Sequence, residues 1–162
     1  KIKINFKISN DYLYIKSGIV CLDRIRVNDL IHDFLDETGI KEEDIKNYIY
    51  NNKILNQSIF LQHAGLYDNS DIIVNMNRPI QYIKIIFKSK EDKKKIYNIN
   101  CLKAEKIISI KRKIENITNT EDCDLFLKKE DNYGFLEFKK IEYDEKSRAE
   151  EIGLKNNSVI YF

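Results

Sequence analysis

Apolar and polar residues alternate at two places in the chain that lie about 80 positions apart. The first run, KIKINFKI, carries apolar side chains at every second position, at Ile2, Ile4, Phe6 and Ile8. At an offset of 81 residues, the run IKIIFK repeats this pattern at Ile83, Ile85 and Phe87. A period of two is typical of a strand with one buried face. We therefore predict a half-buried strand at each place.

A polar turn and a second apolar run follow each of these strands. The first turn is Ser-Asn-Asp at 9–11, and YLYIKSGIVCL at 12–22 follows it. The second turn is SKEDKK at 89–94, and KIYNINCL at 95–102 follows that one. Turns of this composition join neighbouring strands, so each pair of runs is predicted to form a hairpin.

A helix is predicted after each hairpin. In VNDLIHDFLDETG the apolar residues keep a helical spacing, at Val27, Leu30, Ile31 and Phe34. The counterpart EKIISIKRKIENITN has spacings of three and four, at Ile107, Ile110, Ile114 and Ile117. Gly39 ends the first pattern at the position where a left-handed cap is favoured.

The two halves also end alike. The segment QHAGLYDNSDIIV at 62–74 is identical to EEIGLKNNSVIYF at 150–162 in five of thirteen positions. Before these endings, YIYNNKIL at 48–55 corresponds to the longer LFLKKEDNYGFLEFKKI at 125–141. The second half therefore contains an extra strand and loop, inserted near 130–138.

The single proline, Pro79, lies between the halves, where its missing N–H and its restricted neighbours do least harm. We predict one domain at 1–77, a short linker at 78–82 and a second domain at 83–162. The order of elements, together with a Gly-Leu before an Asp/Asn/Ser turn and a terminal apolar strand, resembles the ubiquitin-like β-grasp family. The resemblance implies an α+β fold of two tandem ubiquitin-like β-grasp domains, each a ββαββ mixed sheet packed on one helix.

The resemblance also implies a recognition surface. In this family the main surface is an apolar patch on outward residues of the third and last strands. The matching positions are Ile49 and Ile73 in the first domain and Phe126 and Tyr161 in the second, so these four are the predicted partner-binding residues. Asn75 replaces an apolar member of the patch, so binding of general ubiquitin receptors is not expected.

Charge adds little to this picture. The 28 basic and 26 acidic residues give a formal net charge of +2, which predicts no strong attraction to nucleic acid or membrane. One basic stretch, at 88–95, has a possible acidic-partner contact at Lys93, Lys94 and Lys95; Lys111, Arg112 and Lys113 on the second helix extend it. No aromatic residue interleaves its lysines, so stacking on nucleic acid bases is unsupported.

The sequence predicts no enzyme chemistry. His32 and His63 stand apart from each other and from any cysteine pair, so neither a zinc site nor a nucleophile with its base can be built. Catalytic residues, metal, cofactor and small-molecule substrate are all predicted to be absent. Three cysteines without paired spacing, together with the lack of a long apolar run or signal peptide, predict a cytoplasmic or nuclear protein.

We therefore expect a non-catalytic protein–protein interaction or scaffold module within a larger protein. Two alternatives stay open. The chain could be the regulatory segment of a ubiquitin-system enzyme such as a deubiquitinase, with the chemistry outside this sequence. It could also be a two-domain modifier, which requires a Gly-Gly tail after Phe162, because neither half contains one.

Overall fold

A computed structural model describes residues 1–9 and 17–162 and divides the chain into two compact units. Unit 1 is Lys1–Ile80 and unit 2 is Gln81–Phe162. Within these described residues each unit has one five-stranded mixed sheet and one α-helix, which confirms the predicted α+β class. The architecture is compatible with two β-grasp-like units.

Unit 1 contains strands β1 to β5 and helix α1, with a short 3-10 helix at Glu42–Asp44. The bounds are β1 Ile2–Ile8, β2 Ser17–Cys21, α1 Val27–Thr38, β3 Ile45–Tyr50, β4 Lys53–Ile54 and β5 Asp71–Met76. The strand order is β2-β1-β5-β3-β4. The central pair β1 and β5 is parallel, and the other pairs are antiparallel.

Unit 2 has the same strand order with longer outer strands. The bounds are β6 Tyr82–Lys88, β7 Ile96–Leu102, α2 Ile107–Thr118, β8 Phe126–Glu130, β9 Leu136–Lys140 and β10 Ser158–Tyr161. The order β7-β6-β10-β8-β9 again places a parallel pair, β6 and β10, at the centre. The predicted ββαββ pattern has four strands, whereas each unit has five. The additional strands are β4 in unit 1 and β9 in unit 2.

Helix α1 begins at Val27 as predicted, whereas α2 begins at Ile107, two residues after the predicted segment opens at Glu105. At the start of α1 the Asp29 carboxylate accepts a hydrogen bond from the Arg26 N–H, 3.2 Å away. At its end Gly39 takes the left-handed conformation, with φ 71°. Asn119 takes the same role after α2, with φ 53°. Ile117, predicted on the apolar face of α2, is instead exposed, because it lies in the last turn of the helix.

Two details of the strand prediction change. The segment at 48–55 belongs to β3, which begins earlier, at Ile45, and to β4; Asn51 and Asn52 between these strands both have positive φ. The first hairpin is antiparallel as predicted, with Ile4 opposite Ile19. Its predicted turn at 9–11 and the first part of its second strand fall mostly on residues 10–16, outside the described residues.

The similar endings form equivalent turns. Leu66 N–H donates to the Leu61 carbonyl at 2.9 Å, and Leu154 N–H donates to the Ala149 carbonyl at the same distance. Gly65 and Gly153 both have positive φ, 74° and 80°, which favours glycine over residues with a Cβ. Each turn leads into the central parallel strand of its unit. Along β5 the side chains alternate between the two faces of the sheet: Ile72 and Val74 are buried, and Ile73 between them is exposed.

Candidate functional site

The outward face of the unit 1 sheet carries three neighbouring isoleucines, which we call the isoleucine patch: Ile49, Ile54 and Ile73. Ile49 on β3 is the direct cross-strand partner of Ile73 on β5 and of Ile54 on β4. Ile54 is 73% exposed and Ile73 is 39% exposed, while Ile49 between them is half-buried. The sequence prediction included Ile49 and Ile73 but missed Ile54. No alternation in the sequence could have found Ile54, because its strand β4 has only two residues.

Polar pairs border the isoleucine patch. Lys7 and Asp71 form a salt bridge of 2.7 Å beside Ile73, because Lys7 lies opposite Ile73 on the neighbouring strand. On the other side the Asn75 side-chain amide donates to the Asn47 side-chain oxygen at 2.8 Å. Asn75, noted in the sequence as a departure from an apolar patch, thus has a partner on the same face. The patch is therefore an apolar centre with a polar rim.

The outward face of unit 2 carries aromatic residues and lysines in place of the isoleucines. Phe126 on β8 is the cross-strand partner of Tyr161 on β10. Phe138 on β9 packs edge-on against Tyr161, with ring centroids 4.9 Å apart. The Lys90 ammonium lies 3.3 Å from the centroid of the Phe126 ring, and that of Lys128 lies 5.9 Å from the Phe138 centroid. We call these five residues the aromatic–lysine cluster.

A cleft of about 270 Å³ opens beside the aromatic–lysine cluster. It is lined by Lys88, Ser89, Lys90, Lys93, Ile96, Lys128, Phe138 and Tyr161. Of the three predicted contact lysines, Lys93 lines the cleft, whereas Lys94 and Lys95 are exposed but do not line it. No aromatic residue lies within the basic stretch at 88–95, but the sheet brings the rings of Phe138 and Tyr161, on β9 and β10, to the same cleft.

The loop between β8 and β9 presents the most exposed aromatic side chains of unit 2. Tyr133 is 87% exposed and Phe135 is 71% exposed. The Asp131 carboxylate accepts hydrogen bonds from the N–H groups of both residues, each at 2.8 Å. This loop is the insertion predicted near 130–138, and the sequence prediction had not assigned it a surface.

Lys113 does not belong to the basic surface on which the sequence prediction placed it. Its side chain is buried, and its ammonium lies 2.6 Å from the Glu105 carboxylate, which is also buried. Ser109 donates a hydrogen bond to that carboxylate at 2.8 Å, and the Leu102 N–H donates at 2.9 Å. Lys113 is buried because it lies on the same face of α2 as the buried residues Ile110 and Ile114. This cluster is part of the core of unit 2.

The environments of the three cysteine thiols favour their neutral forms. Burial, with a smaller contribution from Glu105, raises the pKa of Cys101 to about 12. Burial, helped by Glu115, raises the pKa of Cys123 to about 11, and burial also raises the pKa of Cys21. All three cysteines are described and are free thiols. Because the thiolate is the reactive form, these environments disfavour nucleophilic chemistry at the cysteines.

The histidines do not converge on the cysteines. His32 is exposed on α1, and His63 packs edge-on against Phe60, with ring centroids 5.9 Å apart. Within residues 1–9 and 17–162, no group of three or more His, Cys, Asp or Glu side chains is arranged to hold a metal ion. Over the same described ranges, no helix has the length and apolarity needed to cross a membrane.

No family model matches the sequence, and no curated protein matches it. One solved structure, described as the crystal structure of ATBAG1 in complex with HSP70, is similar to this chain with a TM-score of 0.39 and 20% sequence identity. The match covers 46% of this chain and 39% of that one. A similarity at this level carries no argument about the fold or function of this chain.

Proposed function

We propose that the chain is a pair of tandem ubiquitin-like β-grasp domains that act as a non-catalytic protein-interaction module, with partners docking on the outward sheet faces. The observation that carries this proposal is the isoleucine patch. A solvated strand face normally bears polar residues, whereas here three isoleucines adjoin across β3, β4 and β5. An exposed apolar patch with a polar rim is typical of a contact surface.

The equivalent turns of the two units support the tandem-repeat part of the proposal. Asn69 N–H donates to the Lys3 carbonyl at 2.7 Å, and Asn157 N–H donates to the Lys84 carbonyl at 2.7 Å. Lys84 follows Lys3 by 81 residues, and Asn157 follows Asn69 by 88 residues. The same hydrogen bond therefore joins corresponding positions in the two units. The shared strand order and the shared turns are what two copies of one ancestral domain would have.

Covering the isoleucine patch would contribute favourably to docking. Burying an isoleucine side chain fully contributes about 1.5–3 kcal/mol. Ile54 and Ile73 are the exposed members, so covering them and the partly buried Ile49 supplies several kcal/mol before the costs of association. A few such residues usually supply most of the affinity of an interface.

Replacing Ile73 or Ile49 with Asp is expected to weaken partner binding at least about tenfold, because a charge would be buried in the apolar centre of the interface. The measurement is quantitative affinity capture of partners from native cells, with circular dichroism and thermal unfolding of each variant. The matched control is Val20→Asp, since Val20 is also an exposed aliphatic residue on a strand, 62% exposed on β2 and outside the patch.

The folding measurement decides how a loss of binding is interpreted. Loss of partners by the Ile73→Asp chain, with its unfolding temperature close to that of Val20→Asp, supports the docking surface. If Ile73→Asp and Ile49→Asp unfold unit 1, the two residues belong to the core and the patch assignment is wrong. If both variants keep their fold and all their partners, the proposed function is wrong for this face.

A further inference from the structure

The cleft of unit 2 combines positive charge with an apolar floor. Among the eight residues that line it, all in the fully described unit 2, four are lysines and none is acidic. Lys88 is partly buried, whereas Lys90, Lys93 and Lys128 are exposed. Phe138, Tyr161 and Ile96 supply the apolar surface. Four lysines and no acidic residue give the lining of this cleft a net positive charge.

The turn between β6 and β7 is held by its own polar side chains. The Asp92 carboxylate accepts a hydrogen bond from the Lys94 N–H at 3.0 Å, so it serves the turn between β6 and β7. Ser89 closes the same turn by accepting hydrogen bonds from the Glu91 and Asp92 N–H groups, at 3.2 and 3.1 Å. The turn is therefore fixed by its own side chains, and it holds Lys90 and Lys93 at the edge of the cleft.

We propose that this cleft binds an acidic peptide segment of a partner protein, with one apolar side chain of the segment on Phe138 and Tyr161 and its flanking carboxylates on Lys90, Lys93 and Lys128. The proposal deepens the proposed function, because it names the partner class of the unit 2 face. It rests on charge complementarity and on the volume of about 270 Å³, which suits one side chain rather than a whole small molecule.

Single-stranded nucleic acid is another anionic polymer that binds to surfaces made of lysines and aromatic residues. Base stacking needs open ring faces in succession along the strand. Here the Lys90 ammonium lies over the Phe126 ring at 3.3 Å, and Phe138 packs edge-on against Tyr161. The rings are already engaged with lysine and with one another, so the geometry favours carboxylates at the rim and one apolar side chain inside.

The test is fluorescence anisotropy of the full chain with a labelled peptide of alternating Asp and Glu around a central Phe. The control peptide has Asn and Gln in place of the acids. We expect the acidic peptide to bind, the neutral peptide to bind at least about tenfold more weakly, and the acidic peptide to lose affinity as salt rises from about 50 to about 300 mM.

Two variants locate the binding. Lys90→Glu combined with Lys128→Glu is expected to reduce affinity for the acidic peptide at least about tenfold, and Phe138→Ser is expected to reduce it about fivefold. The matched control is Lys103→Glu, because Lys103 is exposed and follows the end of β7 opposite to Ile96. That variant should stay within about twofold of the parent chain.

Three results would overturn the proposal: equal binding of the neutral and acidic peptides, equal losses in Lys103→Glu and the double variant, or tighter binding of a thymidine oligonucleotide than of the acidic peptide. None of these depends on the isoleucine patch, because Ile73→Asp leaves the cleft of unit 2 intact. If the Ile73→Asp chain binds the peptide and also keeps all its partners, the proposed role of the isoleucine patch in unit 1 is wrong. The peptide-binding role of the unit 2 cleft is then still supported.

Discussion

Lys113→Met is expected to destabilise unit 2 by about 3–5 kcal/mol, because it leaves the buried Glu105 carboxylate without its cation. The ammonium and the carboxylate are 2.6 Å apart, and their side chains are 5% and 0% exposed. The remaining hydrogen bonds, from Ser109 and from the Leu102 N–H, do not replace a full positive charge. The measurement is urea unfolding of the full chain, with hydrogen exchange and mass spectrometry to read the two units separately.

Two companion variants distinguish the lost charge pair from a general effect on α2. Arg112→Met changes an exposed residue next to Lys113 and should remain within about 0.5 kcal/mol of the parent chain. Glu105→Gln combined with Lys113→Met removes both charges and should recover most of the loss, since the cost lies in the unpaired ion. A Lys113→Met chain as stable as Arg112→Met would show that the pair is not part of the core.

Phe34→Ala is expected to destabilise unit 1 by about 3–5 kcal/mol, the usual cost of removing a buried aromatic side chain. Phe34 on α1 stacks on Phe6 of β1, with ring centroids 4.2 Å apart and an interplanar angle of 13°. Neither ring has exposed surface, so the truncation leaves a cavity between helix and sheet. Such a stacked pair also loses about 0.5–1.5 kcal/mol beyond the area it buries.

The same exchange experiment measures this loss, as faster exchange of the β1 and α1 amides. Tyr67→Ala is the control, because Tyr67 is an aromatic residue of unit 1 that is 68% exposed. It should change the free energy of unfolding by about 0.5 kcal/mol or less. Unchanged protection of β1 in the Phe34→Ala chain would mean that the stack does not hold the helix on the sheet.

Local patterns predicted the parts of the fold that depend on near neighbours. The alternation of Ile4 and Phe6, the helical spacing from Val27 and the cap at Gly39 are all set within a few residues, and the structure contains each of them. The endings at 62–74 and 150–162 form the same turn for the same reason. Composition and spacing were enough here because each signal lies within one element.

The missed features depend on contacts between elements. Ile54 lies on a two-residue strand, which is too short to show an alternation, and Phe138 reaches Tyr161 only through the pairing of β9 with β8 and of β8 with β10. Lys113 was predicted at the surface because lysines usually are, and its partner Glu105 lies before the helix begins. Pairing registers and buried charges follow from the whole fold.

The most direct test of the docking surface is a photo-crosslinking amino acid placed at position 73 in native cells, compared with the same group at position 20. The account predicts discrete protein adducts from position 73, loss of those adducts when Ile49→Asp is added, and few or none from position 20. Absence of adducts from position 73, or the same adducts from both positions, would contradict the proposal that the isoleucine patch docks a protein partner.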